Sequence, residues 1–320
     1  MIRLARRTGA AQTITEDNKK LMQTVKKCGT VSILGRPNVG KSTLLNQLIG
    51  EKVSIVSPKP QTTRNKITGV LTRDAVQMIF LDTPGLHKPR SKLGDRMIKT
   101  IYSTADDVDL AVLVAQADKL PGKPEQMLIE RLAHNGIPCI LALNKTDASK
   151  KDAILEVIGR YAALHTFAAV VPVSALTGDG CDALLDEIDA LLPEGEHIFP
   201  DDALTDQPER VLAAELVREQ LMRALYEEIP HGVVCETERF EEQEDGQIEI
   251  DVLIVCEKDS HKSIIIGRQG SMLKSVGTAA RAEIEKMLDA PVFLKLWVKV
   301  KNDWRNNAYF LSELSVMQEQ

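Results

Sequence analysis

Nine residues set the strongest limit on what this chain can fold into: GRPNVGKST, Gly35 to Thr43. They follow the β-branched run VSIL and open the apolar-periodic stretch LLNQLI, so a Gly-x4-Gly-Lys-Ser pattern falls between a strand and a helix, as a phosphate loop requires. Gly35 and Gly40 let the backbone turn tightly enough for consecutive N–H groups to face inward, and the helix N-terminus adds about half a positive charge toward an anion. In such a loop Lys41 neutralises β- and γ-phosphate oxygens, and Ser42 offers a hydroxyl to Mg²⁺. Gly35, Asn38, Val39, Gly40, Lys41, Ser42 and Thr43 are therefore candidate nucleotide ligands.

The surrounding pattern fits that loop. From Thr30 onward TVSIL, VQMIFLD, DLAVLVAQA, PCILALNK and AAVVPVSA alternate with amphipathic stretches, which predicts an α/β domain with a mostly parallel sheet over residues 30–192. Strands buried on both faces read as continuous apolar runs, and right-handed crossovers gather the strand-end loops along one edge. PEGEHIFPDDALTDQPER, Pro193 to Arg210, is rich in Pro, Asp and Glu without periodicity, and is expected to be a linker. Beyond it a helix from Val211 to Glu228, two strands around EEQEDGQ, a helix, a glycine turn, a helix and the strand PVFLKLWVKV predict a smaller α+β domain over residues 211–303. Residues 1–29 are then an N-terminal extension and residues 304–320 a tail. The three arginines of MIRLARRTGAAQ faintly suit a transit peptide, but Glu16 and Asp17 interrupt the pattern.

No apolar run approaches the ~20 residues that span a bilayer. A net charge of -6 argues against indiscriminate nucleic-acid binding, so any such site must be local. The five cysteines are scattered, lack metal-ligand spacing and read as reduced packing residues.

The base is read elsewhere on the same edge. LNKTD ends a strand, and the Asp147 carboxylate can accept from guanine N1–H and the 2-amino group; adenine would leave it desolvated and unpaired. Asn144 is expected to fix neighbouring loops, Lys145 to lay its aliphatic stem along the ring, and Ser174, Ala175 and Leu176 to support the base. DTPG resembles the acidic metal-side element of P-loop hydrolases, with Asp82 holding Mg²⁺ through water and the Gly85 N–H meeting the γ-phosphate. In PKPQTTRNK, here the first switch loop, Thr63 can give Mg²⁺ a second hydroxyl when the γ-phosphate is present. Metal contacts are thus expected from Ser42, Thr63 and Asp82. Leu86 stands where Ras-like GTPases place a water-orienting glutamine, and a leucine neither donates nor accepts.

The phosphate loop, SPKPQTTR, DTPGLHKP, NKTD, SAL and the linker together resemble the Era-like GTPases with a C-terminal KH domain, from about Thr30 to Lys301. The resemblance implies a slow intrinsic GTPase using GTP, GDP and Mg²⁺, with Lys41, Thr63, Asn38 and Gly85 acting on the transferring phosphoryl group. In relatives an asparagine at the Asn38 position helps bind a monovalent cation, so K⁺ is an implied cofactor; the alternative is that Asn38 only braces the loop. The second domain resembles a type II KH domain, whose GxxG turn clamps about four nucleotides. Its candidate RNA-binding residues are Lys262, Ile266, Gly267, Arg268, Gln269, Gly270 and Lys274, with the run IIIG flooring the groove. Trp297 is expected to pack while the neighbouring lysines stay exposed, and Trp304 is left open between packing and base stacking. The resemblance further implies the 3′ end of 16S ribosomal RNA and the 30S subunit as partners, and a cytoplasmic monomer. Peripheral contact with the inner membrane face is suggested for the family, although no amphipathic or lipidation signal supports it here. A competing reading is a regulatory GTPase whose second domain binds protein or membrane; an ATP-driven kinase is disfavoured by Asp147.

Overall fold

A computed structural model describes residues 25–319. The arginine-bearing N-terminal stretch falls outside them.

The first unit is a six-stranded sheet in the order β2-β3-β1-β4-β5-β6, built from β1 (Lys27–Gly35), β2 (Ile67–Arg73), β3 (Val76–Asp82), β4 (Leu110–Gln116), β5 (Cys139–Asn144) and β6 (Ala169–Pro172). All pairings are parallel except β2 with β3. The connections between strands carry α1 (Lys41–Ile49), α2 (Lys92–Asp106), α3 (Lys123–His134) and α4 (Lys151–Ala162), and α5 (Cys181–Leu191) follows the last strand. Alternation within one apolar run explains the two cores. Val112 and Val114 of β4 face Leu44, Leu45, Leu184 and Ile188, whereas Ala111 and Leu113 face Ile101, Leu128 and Leu132.

The second unit begins with α6 (Glu209–Ala224), followed by β7 (Val234–Glu242), β8 (Ile248–Cys256), α7 (Asp259–Ile266), α8 (Ser271–Leu288) and β9 (Val292–Val300). Its sheet runs β7-β8-β9, antiparallel then parallel, and α6, α7 and α8 cover one face. This is the expected α/β P-loop domain followed by a smaller α+β unit.

Several expected boundaries move. β1 starts at Lys27, inside the expected extension, because Lys27 to Gly29 continue the ladder with β3. β2 was not expected: it is a short edge strand, ITGVLTR, with a Gly and polar residues breaking its alternation. α6 starts at Glu209, within the expected linker, and ends at Ala224 rather than Glu228, its C-cap Leu225 having an extended backbone. The expected tail contains a further helix, α9 (Ala308–Glu319), whose Phe310, Leu311 and Leu314 pack with Trp304 against Val234 and Val255.

The tryptophans reverse one expectation. Trp297 is 56% exposed, because residues 293, 295, 297 and 299 of β9 share the outer face while Leu294, Leu296 and Val298 pack inward. Trp304 is 1% exposed and its indole Nε1 donates to Gly232 O at 2.9 Å, so it packs.

Candidate nucleotide site and nucleic-acid groove

The phosphate loop joins β1 to α1 with Asn38 and Gly40 both at positive φ, 62° and 98°. Gly40 has no alternative: a Cβ there would lie 2.3 Å from Asn144 Nδ2. Lys41 is buried under the loop, donating to Gly35 O at 3.3 Å and Arg36 O at 3.0 Å. Burial pushes its pKa down to about 8, partly offset by Asp82.

The three residues expected at the metal converge. Ser42 donates to Asp82 Oδ2 at 2.6 Å, Ser42 Oγ and Thr63 Oγ1 lie 2.8 Å apart, and Thr63 donates to the same Oδ2 at 3.3 Å. Ser54, which the sequence did not reveal, adds a fourth group at 3.2 Å. Asp82 Oδ1 is buried without a hydrogen-bond partner. Burial raises the Asp82 pKa, while Lys41 and the hydroxyls of Ser42, Ser54 and Thr63 pull it back. Hard oxygen donors around an orphaned carboxylate oxygen fit Mg²⁺, which takes one or two protein ligands and completes its shell with phosphate and water. When bound, the ion supplies positive charge opposite the β- and γ-phosphate oxygens.

Asn144 is the knot at the base end. Its Nδ2 donates to Val39 O at 2.8 Å, and its Oδ1 accepts from Lys145 N at 2.8 Å and Ala175 N at 2.9 Å, tying the phosphate loop, NKTD and SAL together. Ser174 donates to Asp147 Oδ1 at 2.6 Å, orienting the carboxylate expected to read guanine. Lys145 donates to Asn38 O at 2.7 Å, and Leu176 stays 76% exposed at the rim. Thr43 sits in the first turn of α1 beside the phosphate cleft.

Gly85 packs on Pro37, where a Cβ would lie 2.5 Å from the Pro37 N, and Leu86 N donates to Gly35 O at 3.0 Å. The Leu86 side chain is 5% exposed within the core of Leu34, Ile101 and Leu113. The leucine is therefore a packing residue that fixes the loop after Asp82, turned away from the phosphate cleft. Asn38 Nδ2 donates to Pro58 O at 2.9 Å, linking the phosphate loop to the first switch loop.

In the second unit the GxxG turn, Gly267 to Gly270, joins α7 to α8 with Gly267, Gln269 and Gly270 all at positive φ. A groove of about 420 Å³ runs from Gly270 along Leu273, Lys274, Thr278 and Arg281 of α8 to Leu294 and Leu296 of β9. Gly270 and Lys274 lie in it; Arg268 and Gln269 are exposed at the turn, and Lys262 and Ile266 sit half-buried on α7. Its floor is Leu294, Leu296 and Leu273, whereas Ile265 of the run IIIG is fully buried in the core. Arg281 and Thr278 were missed, although both follow Lys274 at helical spacing, at i+7 and i+4, a signal that could have found them.

The comparisons agree with this geometry. Residues 30–145 match the family model described as 50S ribosome-binding GTPase, and residues 228–305 that described as KH domain. The chain is 51% identical over 288 residues to GTPase Era of Ruminiclostridium cellulolyticum, covering 90% of this chain and 97% of that one. It is 46% identical over 287 residues to GTPase Era of Geotalea uraniireducens, with 90% and 97% covered. A crystal structure of an Aquifex aeolicus Era variant bound to GDP and aluminium fluoride superposes with a TM-score of 0.85 at 38% identity, covering 89% of this chain and 98% of that one. Era in complex with MgGDPNP and nucleotides 1506–1542 of 16S ribosomal RNA gives a TM-score of 0.86 at 38% identity, with 90% and 98% covered. This chain accordingly belongs to the Era family of GTPases, a P-loop GTPase domain followed by a KH domain.

Proposed function

We propose that this GTPase binds the 3′ end of 16S ribosomal RNA through the groove beside its GxxG turn and uses GTP hydrolysis to time its stay on the assembling 30S subunit. The observation that carries the reading is the groove itself: a positive-φ glycine turn, basic side chains on α8 and an apolar floor on β9, in a fold shared over 90% of this chain with a protein solved on that RNA. The glycines admit phosphates close to the backbone, and Leu294 and Leu296 give bases an apolar surface. On the nucleotide side Lys41, Ser42, Thr63, Asp82 and Gly85 handle the phosphates, while Asn144, Lys145, Asp147 and Ser174 to Leu176 hold the base. For Asn38 the bracing role is favoured by its hydrogen bond to Pro58; a severalfold change in rate on exchanging K⁺ for Na⁺ would instead assign it to a cation.

The proposed division places the GTPase domain at 30–192, extended back to Lys27, the linker at 193–210 with its last residues inside α6, and the KH domain at 211–303. The cytoplasm is the proposed compartment, supported by five buried, unpaired cysteines. No helix among the described residues is long and apolar enough to cross a membrane.

The test is filter binding of a single-stranded 16S 3′-end RNA. Gly267 cannot report cleanly, since a Cβ there would meet Met272 Cβ at 2.7 Å. Lys274→Glu places the repulsive charge on an exposed groove residue instead, and should cut retention at least about tenfold while GTP binding stays unchanged. Equal retention would favour a protein-binding second domain.

A further inference from the structure

The first switch loop is held from the KH side. Thr63 aims its hydroxyl at Ser42 and Asp82, and the next residue, Arg64, reaches in the opposite direction into the second unit. Its guanidinium donates to three main-chain carbonyls there: Val233 at 2.6 Å, His231 at 3.0 Å and Pro230 at 3.3 Å. The Trp304 ring covers it at 5.8 Å, and Trp304 is itself fixed by its bond to Gly232. The nearby carboxylate of Glu215 is engaged bidentately by Arg218, whose guanidinium also donates to Thr62 O. Lys59 of the same loop donates to the carbonyls of Met222 and Leu225. Val56 N donates to the buried Glu219 at 2.9 Å, and Ile55 joins the KH core.

A buried cation is costly unless its donors are met, and a socket of carbonyl dipoles under an aromatic face meets those of Arg64. The socket belongs to the KH unit and the threonine one residue away belongs to the candidate metal site. We propose that Arg64 is a positioning residue for GTP hydrolysis: seated in the carbonyls of Pro230, His231 and Val233, it makes the docked KH domain hold Thr63 beside Ser42 and Asp82. The KH domain thereby completes the hydrolytic site, and a domain rotation that withdraws the socket releases Thr63. A cleft of about 450 Å³ beside Thr63, Arg64, Arg96 and Glu215 leaves this interface room to open.

The inference rests on the GTPase activity and not on the RNA reading, and its test contains no RNA, so the two fail separately. Single-turnover GTP hydrolysis and GDP affinity are measured on the full chain with Arg64→Ala. Because a small misplacement of a reacting group costs up to about a hundredfold, the rate should fall about tenfold to a hundredfold. GDP affinity, set by the phosphate loop and Asp147, should stay within about twofold, and half-maximal hydrolysis should need more Mg²⁺. Trp304→Phe keeps an aromatic face but deletes the indole N–H that donates to Gly232 and part of the buried ring volume; it should slow hydrolysis less, and add nothing further in the Arg64→Ala background. A rate within about twofold of the wild type, a parallel loss of GDP affinity, or additive effects in the double variant would overturn the proposal.

Discussion

At the proposed base end Asp147 and Asn144 act by different physics, and their substitutions should separate accordingly. In the proposed site the Asp147 carboxylate accepts from two guanine donors; an amide there would put a donor against a donor, while xanthine offers a carbonyl at the same place. Asp147→Asn should therefore lower GTP affinity at least about a hundredfold and raise that for xanthosine triphosphate, read by calorimetric titration of both. Asn144→Ala instead strands Val39 O and the N–H groups of Lys145 and Ala175. It should cost about 1–3 kcal/mol of stability for each group left unpaired and weaken GTP and GDP alike. These residues were legible in the sequence because a phosphate loop, NKTD and SAL are local patterns whose neighbours lie within a few positions. Ser54, Arg64, Arg218 and Glu219 were not: their partners lie across the fold, and no local spacing marks a lysine or arginine that will donate to a carbonyl more than a hundred residues away.

At the scale of elements, pattern found every strand but one, the edge strand β2. The apolar runs of β1, β3, β4 and β5 announce themselves, whereas β2 is an edge strand with one antiparallel partner and little need of alternation. Trp297 was misplaced by parity, since it shares a face with Lys295 and Lys299 and pairs across from Leu253. Substitution should show the difference: Trp304→Ala removes a fully buried ring and should destabilise by ~3–5 kcal/mol, while Trp297→Ala should stay within ~0.5 kcal/mol in chemical denaturation. The turn at residues 230–232 adds a pH dependence. Burial lowers the His231 pKa, with Arg64, Arg305 and Lys59 opposing its charge and Glu228 favouring it. A histidine held neutral when folded contributes stability that is present above its unfolded pKa of about 6.5 and lost as pH falls through the lowered value. Melting temperatures should therefore drop below pH 6.5 more steeply for the wild type than for His231→Gln.

For the whole molecule, two domains and their order were readable from the linker composition and the change of periodicity, but their docking was not. The contact includes Ile55, Val56, Lys59, Thr62 and Arg64 set against α6 and the residues that follow it, Lys52 paired with Glu219 of α6 and Glu283 of α8, and Arg96 of α2, which donates to Leu311 O of α9 at 2.6 Å. The loops carrying Thr63 and following Asp82 thus lead into elements touching the KH unit, a route by which the proposed nucleotide timer joins the proposed nucleic-acid groove. RNA retention should fall with salt along a slope of about 0.7 per phosphate contacted, and Lys274→Glu should reduce that slope. The claim beneath all of this is that a guanine nucleotide lies between the phosphate loop and Asp147. Displacement of fluorescent GDP from the full chain in Mg²⁺ tests it most directly: unlabelled GTP should compete at stoichiometric concentration and ATP not at a hundredfold excess, whereas equal displacement by ATP would contradict the account.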